Sequence, residues 1–501
     1  MIAGTEFDGQ FIVSNGHAPE RPGSRRIKLN SLCVDIFARQ PVTKVFDRSG
    51  ELIGCLLGTP IDVEQGKILV DHHVIEIEFG KESALNIAVE TEIYRFAGSF
   101  VFLLDMPHAR RLYLDANGTK SVVYNVADQV AASTTLLVLP TVKEYYEGLD
   151  RSLYAALNVD KDGWFPAGLT AHAGVKRLIS NHYLDLETWT CVRHWPLEPV
   201  VREADPAGSI KTIVEQTSRV IETLSKVAPT NLALTAGYDT RLLLACSRNL
   251  LDQLGFITVN VPGGELDIKR ARELSERFGL RHQLLPYVEA SPEQMETWQR
   301  KVSHCITGSN LRMHPSMAPL KDTIFVGGVG GEVGRGFLWL NSNDQTKLDA
   351  NGLIERLKLP LEPRLRLAVD AWLRPLKDLD SLLILDLAFM ELRVSSWAFA
   401  QAYAPSHHIE INPLISRKTY KAMLSLQPSV RRNNGMVVRA VTTAWPELLE
   451  LPVNRYGDWR DAYQKARDAA ADPRRALRKL RQLASAKTTN VFSHRKKSPG
   501  I

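Results

Sequence analysis

Residues 231–241, Asn-Leu-Ala-Leu-Thr-Ala-Gly-Tyr-Asp-Thr-Arg, restrict the fold more than any other stretch of the chain. Leu232 to Leu234 is a short apolar run, Thr235-Ala236-Gly237 interrupts it with small residues, and Leu242-Leu243-Leu244-Ala245 resumes at helical spacing. Strand, tight turn and helix in that order leave backbone N–H groups unpaired at a helix N-terminus, where the dipole favours an anion. Thr235 and Thr240 add hydroxyls, and Asp239 adds a carboxylate suited to Mg²⁺. The turn is not a Walker P-loop, because Gly-Lys-Ser/Thr is missing. Nor is it a dinucleotide fingerprint, because no G-x-G-x-x-G follows the strand. An ordinary strand-to-helix turn is the competing explanation.

The surrounding pattern predicts a doubly wound parallel sheet. An amphipathic helix is expected over 209–227, and Phe256-Ile-Thr-Val-Asn-Val261 reads as a buried parallel strand. A helix over 267–278 is stopped by Gly279, followed by a strand at 282–286, a helix at 293–307 and a strand at 322–326. This alternation of strand and helix builds an open α/β sheet, whose ligands bind beyond the carboxyl ends of the strands. Gly237–Asp239, the segment from Val259 and Asn260 to Gly264, and the glycine-rich run 327–336 including Gly328 fall at those ends. After about 345 the chain becomes mostly helical, with helices expected at 352–358, 380–403, 416–426 and 435–444.

Residues 1–140 are rich in short β runs: 11–13, 42–46, 52–57, 67–70, 74–79, 99–105, 111–115, 121–125 and 129–133, with one clear helix at 83–95. Two layers of sheet with a few helices bury such strands. Pro196, Pro199 and Pro206 mark a linker at 197–206. The expected division is a β-rich domain at 1–196, an α/β domain at 207–464 and a basic tail at 465–501.

Composition narrows the class. With 44% hydrophobic and 24% charged residues, the chain is of globular type, and no run reaches the length of a membrane span. The acidic start of the sequence does not match a secretory signal, so a cytoplasmic location is expected. The five cysteines are scattered without a C-x-x-C pair, which argues against a disulfide framework or a structural zinc site. The formal charge is +6, but residues 465–501 carry eleven Lys or Arg against Asp468 and Asp472, so the rest of the chain is net negative. The tail lacks interleaved aromatic residues and reads as a solvated helix. A nucleic-acid partner is not expected.

Thr235-Ala236-Gly237-Tyr238-Asp239-Thr240 resembles the Ser-Gly-Gly-x-Asp-Ser pyrophosphate loop of the N-type ATP pyrophosphatases, with Ala236 in place of a glycine and Arg241 as an added cation. Gly264-Glu-Leu-Asp-Ile-Lys-Arg-Ala-Arg-Glu-Leu-Ser-Glu-Arg-Phe-Gly-Leu-Arg-His282 is similar to the second helix of asparagine synthetases. Phe325-Val-Gly-Gly-Val-Gly-Gly-Glu-Val-Gly-Arg-Gly-Phe337 resembles their Ser-Gly-(Asp/Glu)-Gly-x-Asp-Glu loop. Ile411-Asn-Pro-Leu-Ile415 and Pro446 to Gly457 resemble later family segments. These matches run in the family's order over about 207–460. Phe96 to Asp105, Leu112 to Gly118 and Ser133 are similar to the class II glutamine amidotransferase domain of the same enzymes.

That resemblance implies an amidotransferase-like β sandwich followed by an adenine-nucleotide-hydrolase-like parallel sheet with a helical C-terminal part. It implies ATP with its pyrophosphate on Thr235, Ala236, Gly237, Tyr238, Asp239, Thr240 and Arg241, with Val259, Asn260 and Gly328 also binding the nucleotide, and Mg²⁺ at Asp239. The family's C-terminal lysine aligns with Arg455, and its final loop glutamate with Glu332, the two expected catalytic residues. The implied reaction is amide formation: a carboxylate is adenylated, and ammonia or a substrate amine displaces AMP. Small-molecule or peptide carboxylates and amines are the implied partners, and a homodimer fits the family. The glutaminase is expected to be dead, since its nucleophile is an N-terminal cysteine, whereas Ile2 follows Met1 and the first cysteine is Cys33. Beta-lactam synthetases and lasso-peptide cyclases look alike in this respect. Two departures, Gly328 and Gly331 where the family loop has acids, leave a nucleotide-binding scaffold as an alternative. A sulfur- or tRNA-modifying enzyme with the same loop is a weaker one.

Overall fold

The computed structural model describes residues 6–75, 82–139, 141–161, 163–196, 199–305, 308–344 and 348–471. Position 2, part of the run at 74–79, the start of the linker and most of the basic tail lie outside the described residues. The chain divides into two compact units, Met1–Glu450 and Leu451–Ile501. No helix among the described residues is long and apolar enough to cross a membrane.

The first unit is mixed α/β. Its N-terminal part holds two mostly antiparallel sheets. One sheet has six strands, ordered Val175–Arg177, Val123–Asn125, Val130–Ala132, Phe11–Asn15, Leu32–Ile36, Arg25–Lys28. The other centres on the paired long strands Leu52–Asp62 and Phe96–Met106. Alternate residues of both sheets face inward, so Phe11, Val13 and Val34 bury against Cys55, Leu57, Val101 and Leu103. Arg25–Lys28 and Leu32–Ile36 escape sequence reading because the first is an edge strand with charged residues at both ends. Cys33 sits inside Leu32–Ile36 and is buried, which makes it a core residue.

The parallel sheet has the order His282–Leu285, Leu254–Val259, Thr230–Ala233, Ile324–Val326, Ile409–Ile411. Strand order therefore reverses between Thr230–Ala233 and Ile324–Val326, and that crevice is the expected ligand position in such a sheet. Helix Ala207–Ser225 precedes the sheet, and helix Glu265–Phe278 ends on Gly279 in the left-handed region (φ 66°).

Two predicted helices are shorter than expected. The helix placed at 293–307 runs only over Pro292–Lys301, because Ser303 and His304 take positive φ. The segment 380–403 is α-helical only over Ser381–Ala388. It widens into a π turn at Phe389–Arg393 and then tightens into 3₁₀ turns. The π turn carries Glu391, whose buried carboxylate accepts from Arg193, Asn181 and Trp372. That network joins the sandwich to the helical part of the same unit.

Candidate functional site

The apolar run at Leu232 and Leu234 is buried in the central strand, and the chain turns at Gly237, which caps helix Tyr238–Cys246. The turn is held by its own side chains. Gly237 N–H donates to Thr235 Oγ1 at 3.1 Å, and the Thr235 and Thr240 hydroxyls lie 2.8 Å apart. Ala236 N–H donates to Asp267 Oδ1 at 2.8 Å, so the next helix pins the turn from its first residues. The first N–H groups of a helix have no acceptor within it, which leaves this end electropositive.

The glycine-rich loop stands opposite, beyond strand Ile324–Val326. Arg335 Nη2 donates to Asp239 Oδ2 at 2.7 Å, and Glu332 Oε1 lies 3.7 Å from the same guanidinium. Glu332 Oε2 also accepts from Gly330 N–H at 3.2 Å. Asp239 Oδ1 is buried without a hydrogen-bond partner. Burial, and after it the charge of Glu332, push the Asp239 carboxyl up to about 7 against the pull of Arg335.

Two glycines of this loop pack against Asp239. A Cβ on Gly331 would fall on Asp239 Oδ1, and one on Gly328 would come within 3.0 Å of Asp239 Cβ. A side chain at 331 therefore requires Asp239 to move, and one at 328 requires it to give by a few tenths of an ångström. Gly327 is similarly confined by Asn412, whose Oδ1 accepts from Val329 N–H at 3.1 Å.

A cavity of about 360 Å³ adjoins both loops. Thr235, Val259 and Gly328 line it together with Met313, Met317 and Trp397, so an apolar wall lies next to the helix N-terminus. Such a cavity suits a planar base joined to phosphates. The structure thus brings together Thr235, Ala236, Gly237, Asp239, Thr240, Val259, Gly328 and Glu332. Tyr238 opens the helix, and Asn260, just after its strand, is exposed. Arg241 is 1% exposed and its guanidinium donates to the Leu448 carbonyl. Burial and neighbouring Arg270 push it down to about 10. Arg455 belongs to the second unit, in the segment before helix Trp459–Ala471.

Two contributors escape the sequence. Arg335 carries no motif of its own and is found only by its contact with Asp239. Asp267 is visible as an acid in the first turn of a helix, but its bond to Ala236 is a tertiary fact. Glu391 and Arg393 are packing residues: Glu391 pairs with Arg193, and Arg393 stacks 3.9 Å over Trp164. Cys246 is buried and its thiol is pushed up to about 12, which keeps it protonated.

No family model matches the chain, and no curated protein matches it. Among solved structures it is similar to an NH3-dependent NAD synthetase from Campylobacter jejuni subsp. jejuni NCTC 11168 in complex with the nitrate ion. That likeness has 12% identity and a TM-score of 0.21, and covers 40% of this chain and 97% of that one. It is similar to an allosteric regulatory enzyme of purine biosynthesis at 9% identity over 73% of each chain, with a TM-score of 0.20. The glutamine phosphoribosylpyrophosphate amidotransferase from B. subtilis complexed with ADP and GMP gives 11% identity over 66% of this chain and 72% of that one, with a TM-score of 0.19.

Proposed function

We propose that the chain is an ATP-dependent, AMP-forming amide-bond ligase of the asparagine synthetase type, without a glutaminase of its own. One observation carries this reading. The threonine turn and the glycine-rich loop meet at the switch point of a parallel sheet, beside a cavity of about 360 Å³ with an apolar wall. ATP is the substrate that fits: the base lies against the apolar wall, and the phosphates take the N-terminus of helix Tyr238–Cys246.

The carboxylate of one substrate attacks the α-phosphorus and pyrophosphate leaves. An amine then attacks the acyl carbon and AMP leaves. The chain's work is positioning and charge stabilisation. Thr235 and Thr240 set the shape of the turn, Asp267 holds Ala236, and Arg335 orients Asp239. Among the described residues no group of three metal-ligating side chains occurs. Mg²⁺ nevertheless fits the donor set when phosphates complete it, since it needs only one or two carboxylates. Asp239, with its unpartnered Oδ1, and Glu332 would hold it. When bound it supplies charge neutralisation to the phosphates. Arg455 is assigned to stabilise the developing negative charge, where arginine keeps the charge but shuttles no proton. The partners are a small-molecule or peptide carboxylate and an amine, the assembly a homodimer and the location the cytoplasm.

A second reading is favoured by Gly328 and Gly331, which stand beside Asp239 where the resembled family loop has acids. In it the chain is a nucleotide-binding scaffold that no longer catalyses. Incubation of the full chain with ATP, Mg²⁺ and a panel of carboxylates and amines separates the two. Carboxylate-dependent release of pyrophosphate and AMP supports the ligase. Nucleotide binding without pyrophosphate release from any carboxylate supports the scaffold.

A further inference from the structure

A second cavity, of about 310 Å³, lies against the same sheet edge and is walled by residues from both parts of the first unit: Asp8, Arg39 and Lys120 from one, Lys301, Tyr403 and His407 from the other. His408 and Glu410 line this cavity and the nucleotide cavity alike, so the two are neighbours.

Its cations are unusual. Lys120 and Lys301 are each 6% exposed. Burying an ammonium is costly unless an anion compensates. Lys120 Nζ reaches only neutral acceptors, Gln40 Oε1 at 2.9 Å and the Gly9 carbonyl at 3.4 Å, and lies 4.9 Å from the centre of the Tyr403 ring. Nearby acids act on these lysines through space, Asp115 on Lys120 and Asp8 and Glu6 on Lys301, but most have contacts of their own. Asp115 accepts from Phe100, Asn117 and Thr119, Glu6 pairs with Arg300, and Asp322 pairs with Arg39. Asp8 and Glu410 remain on the wall against Arg39, Lys120 and Lys301. Burial pushes the Lys120 ammonium down to about 8 and lowers that of Lys301.

We propose that this cavity is an anion site in which Lys120 and Lys301 bind the carboxylate of a small-molecule substrate, whose other end reaches past His408 and Glu410 to the nucleotide cavity. The assignment of a second substrate rests on the ligase reading above; the anion site itself does not. A carboxylate gives Lys120 the charged acceptor that Gln40 and the Gly9 carbonyl do not, and the cavity volume sets the ligand as a small organic acid or amino acid.

The test is competitive acetylation of the full chain with trace acetic anhydride, read lysine by lysine by mass spectrometry. The probes are succinate and L-glutamate, and the control is succinamide, which is uncharged. At a probe concentration roughly ten times its Kd, labelling of Lys120 and Lys301 should fall by about tenfold, while exposed Lys143 and Lys226 stay unchanged. In Lys120→Met, checked for folding by circular dichroism, protection of Lys301 should be lost. Where that variant does not fold, Lys301→Met should abolish protection of Lys120. Equal labelling in succinate, L-glutamate and succinamide overturns the proposal. ATP binding measured on the same preparation keeps the readings apart: protection without ATP binding refutes the ligase and leaves the anion site, whereas ATP binding without protection refutes the anion site alone.

Discussion

Arg335 Nη2 donates to Asp239 Oδ2 at 2.7 Å, and this contact ties the threonine turn to the glycine-rich loop across the switch point of the sheet. Both groups are mostly buried, with side-chain exposures of 19% and 17%. The pair accounts for two of the loop's glycines. Asp239 fills the space that side chains at 328 and 331 would need, and Arg335 holds it there.

Asp239 gives the fold a pH dependence of definite sign. Its carboxyl is raised from 3.8 to about 7 in the folded chain, first by burial and then by Glu332. Below about 4 both folded and unfolded chains hold the proton, and the residue contributes nothing to the slope. Between about 4 and 7 the unfolded chain releases it first, so stability falls as pH rises. Asp239→Asn removes this loss. Its melting temperature relative to the natural chain should climb from pH 4 to pH 7 and then level off. Calorimetric melts across that range giving parallel curves would refute the assignment.

The packing of Gly331 against Asp239 is a separate matter. Gly331→Ala places a methyl group on Asp239 Oδ1 and should cost about 1–3 kcal/mol, the usual range for overpacking. Asp239→Ala empties that space, so the double variant should recover most of the loss. Urea denaturation of the four chains gives the coupling energy. Additive losses would mean that the two positions do not compete.

Much of this arrangement was legible in the sequence. The strand, turn and helix at 231–246 and the alternation that follows dictate the parallel sheet, because periodicity and glycine stops are local signals. The two β layers were legible for the same reason. Local signals fail where long-range contacts decide. Strand Ile409–Ile411 has three residues and becomes a strand by pairing with Ile324–Val326. The π turn at Phe389–Arg393 follows from what Glu391 touches, and Arg335 is placed by a contact with Asp239, nearly a hundred residues away in the chain.

Thr235 should matter to binding more than to stability. Its hydroxyl accepts Gly237 N–H and meets Thr240, so Thr235→Val removes a net stabilisation of about 1 kcal/mol. It also frees the turn proposed to receive the phosphates. Titration calorimetry with ATP should show affinity lowered by about tenfold, equivalent to about 1.4 kcal/mol. Thr235→Ser, which keeps the oxygen, should bind as the natural chain does. Equal affinity in all three would remove Thr235 from the site.

Glu391 tests whether the sandwich is a packing partner for the rest of the first unit. Its carboxylate is fully buried and accepts from Arg193 at 2.7 Å, Asn181 at 2.7 Å and Trp372 at 2.6 Å. Burial alone would raise its pKa, but Arg193 and these hydrogen bonds outweigh it, and the carboxyl lies below its usual 4.5. Stability from this group is therefore present above about 4.5 and is lost as pH falls through the lower folded value. Glu391→Ala leaves Arg193 buried without its anion, a loss of about 3–5 kcal/mol. Arg193 and Asn181 belong to the sandwich and Trp372 to the helical part, so the variant should uncouple them. Urea unfolding, followed by fluorescence and by far-ultraviolet circular dichroism, should then split into two transitions at neutral pH. A single transition at an unchanged midpoint would mean that the two parts are held together by other contacts, such as Trp164 Nε1 donating to the Leu392 carbonyl and Ser303 Oγ accepting from Thr135 N–H.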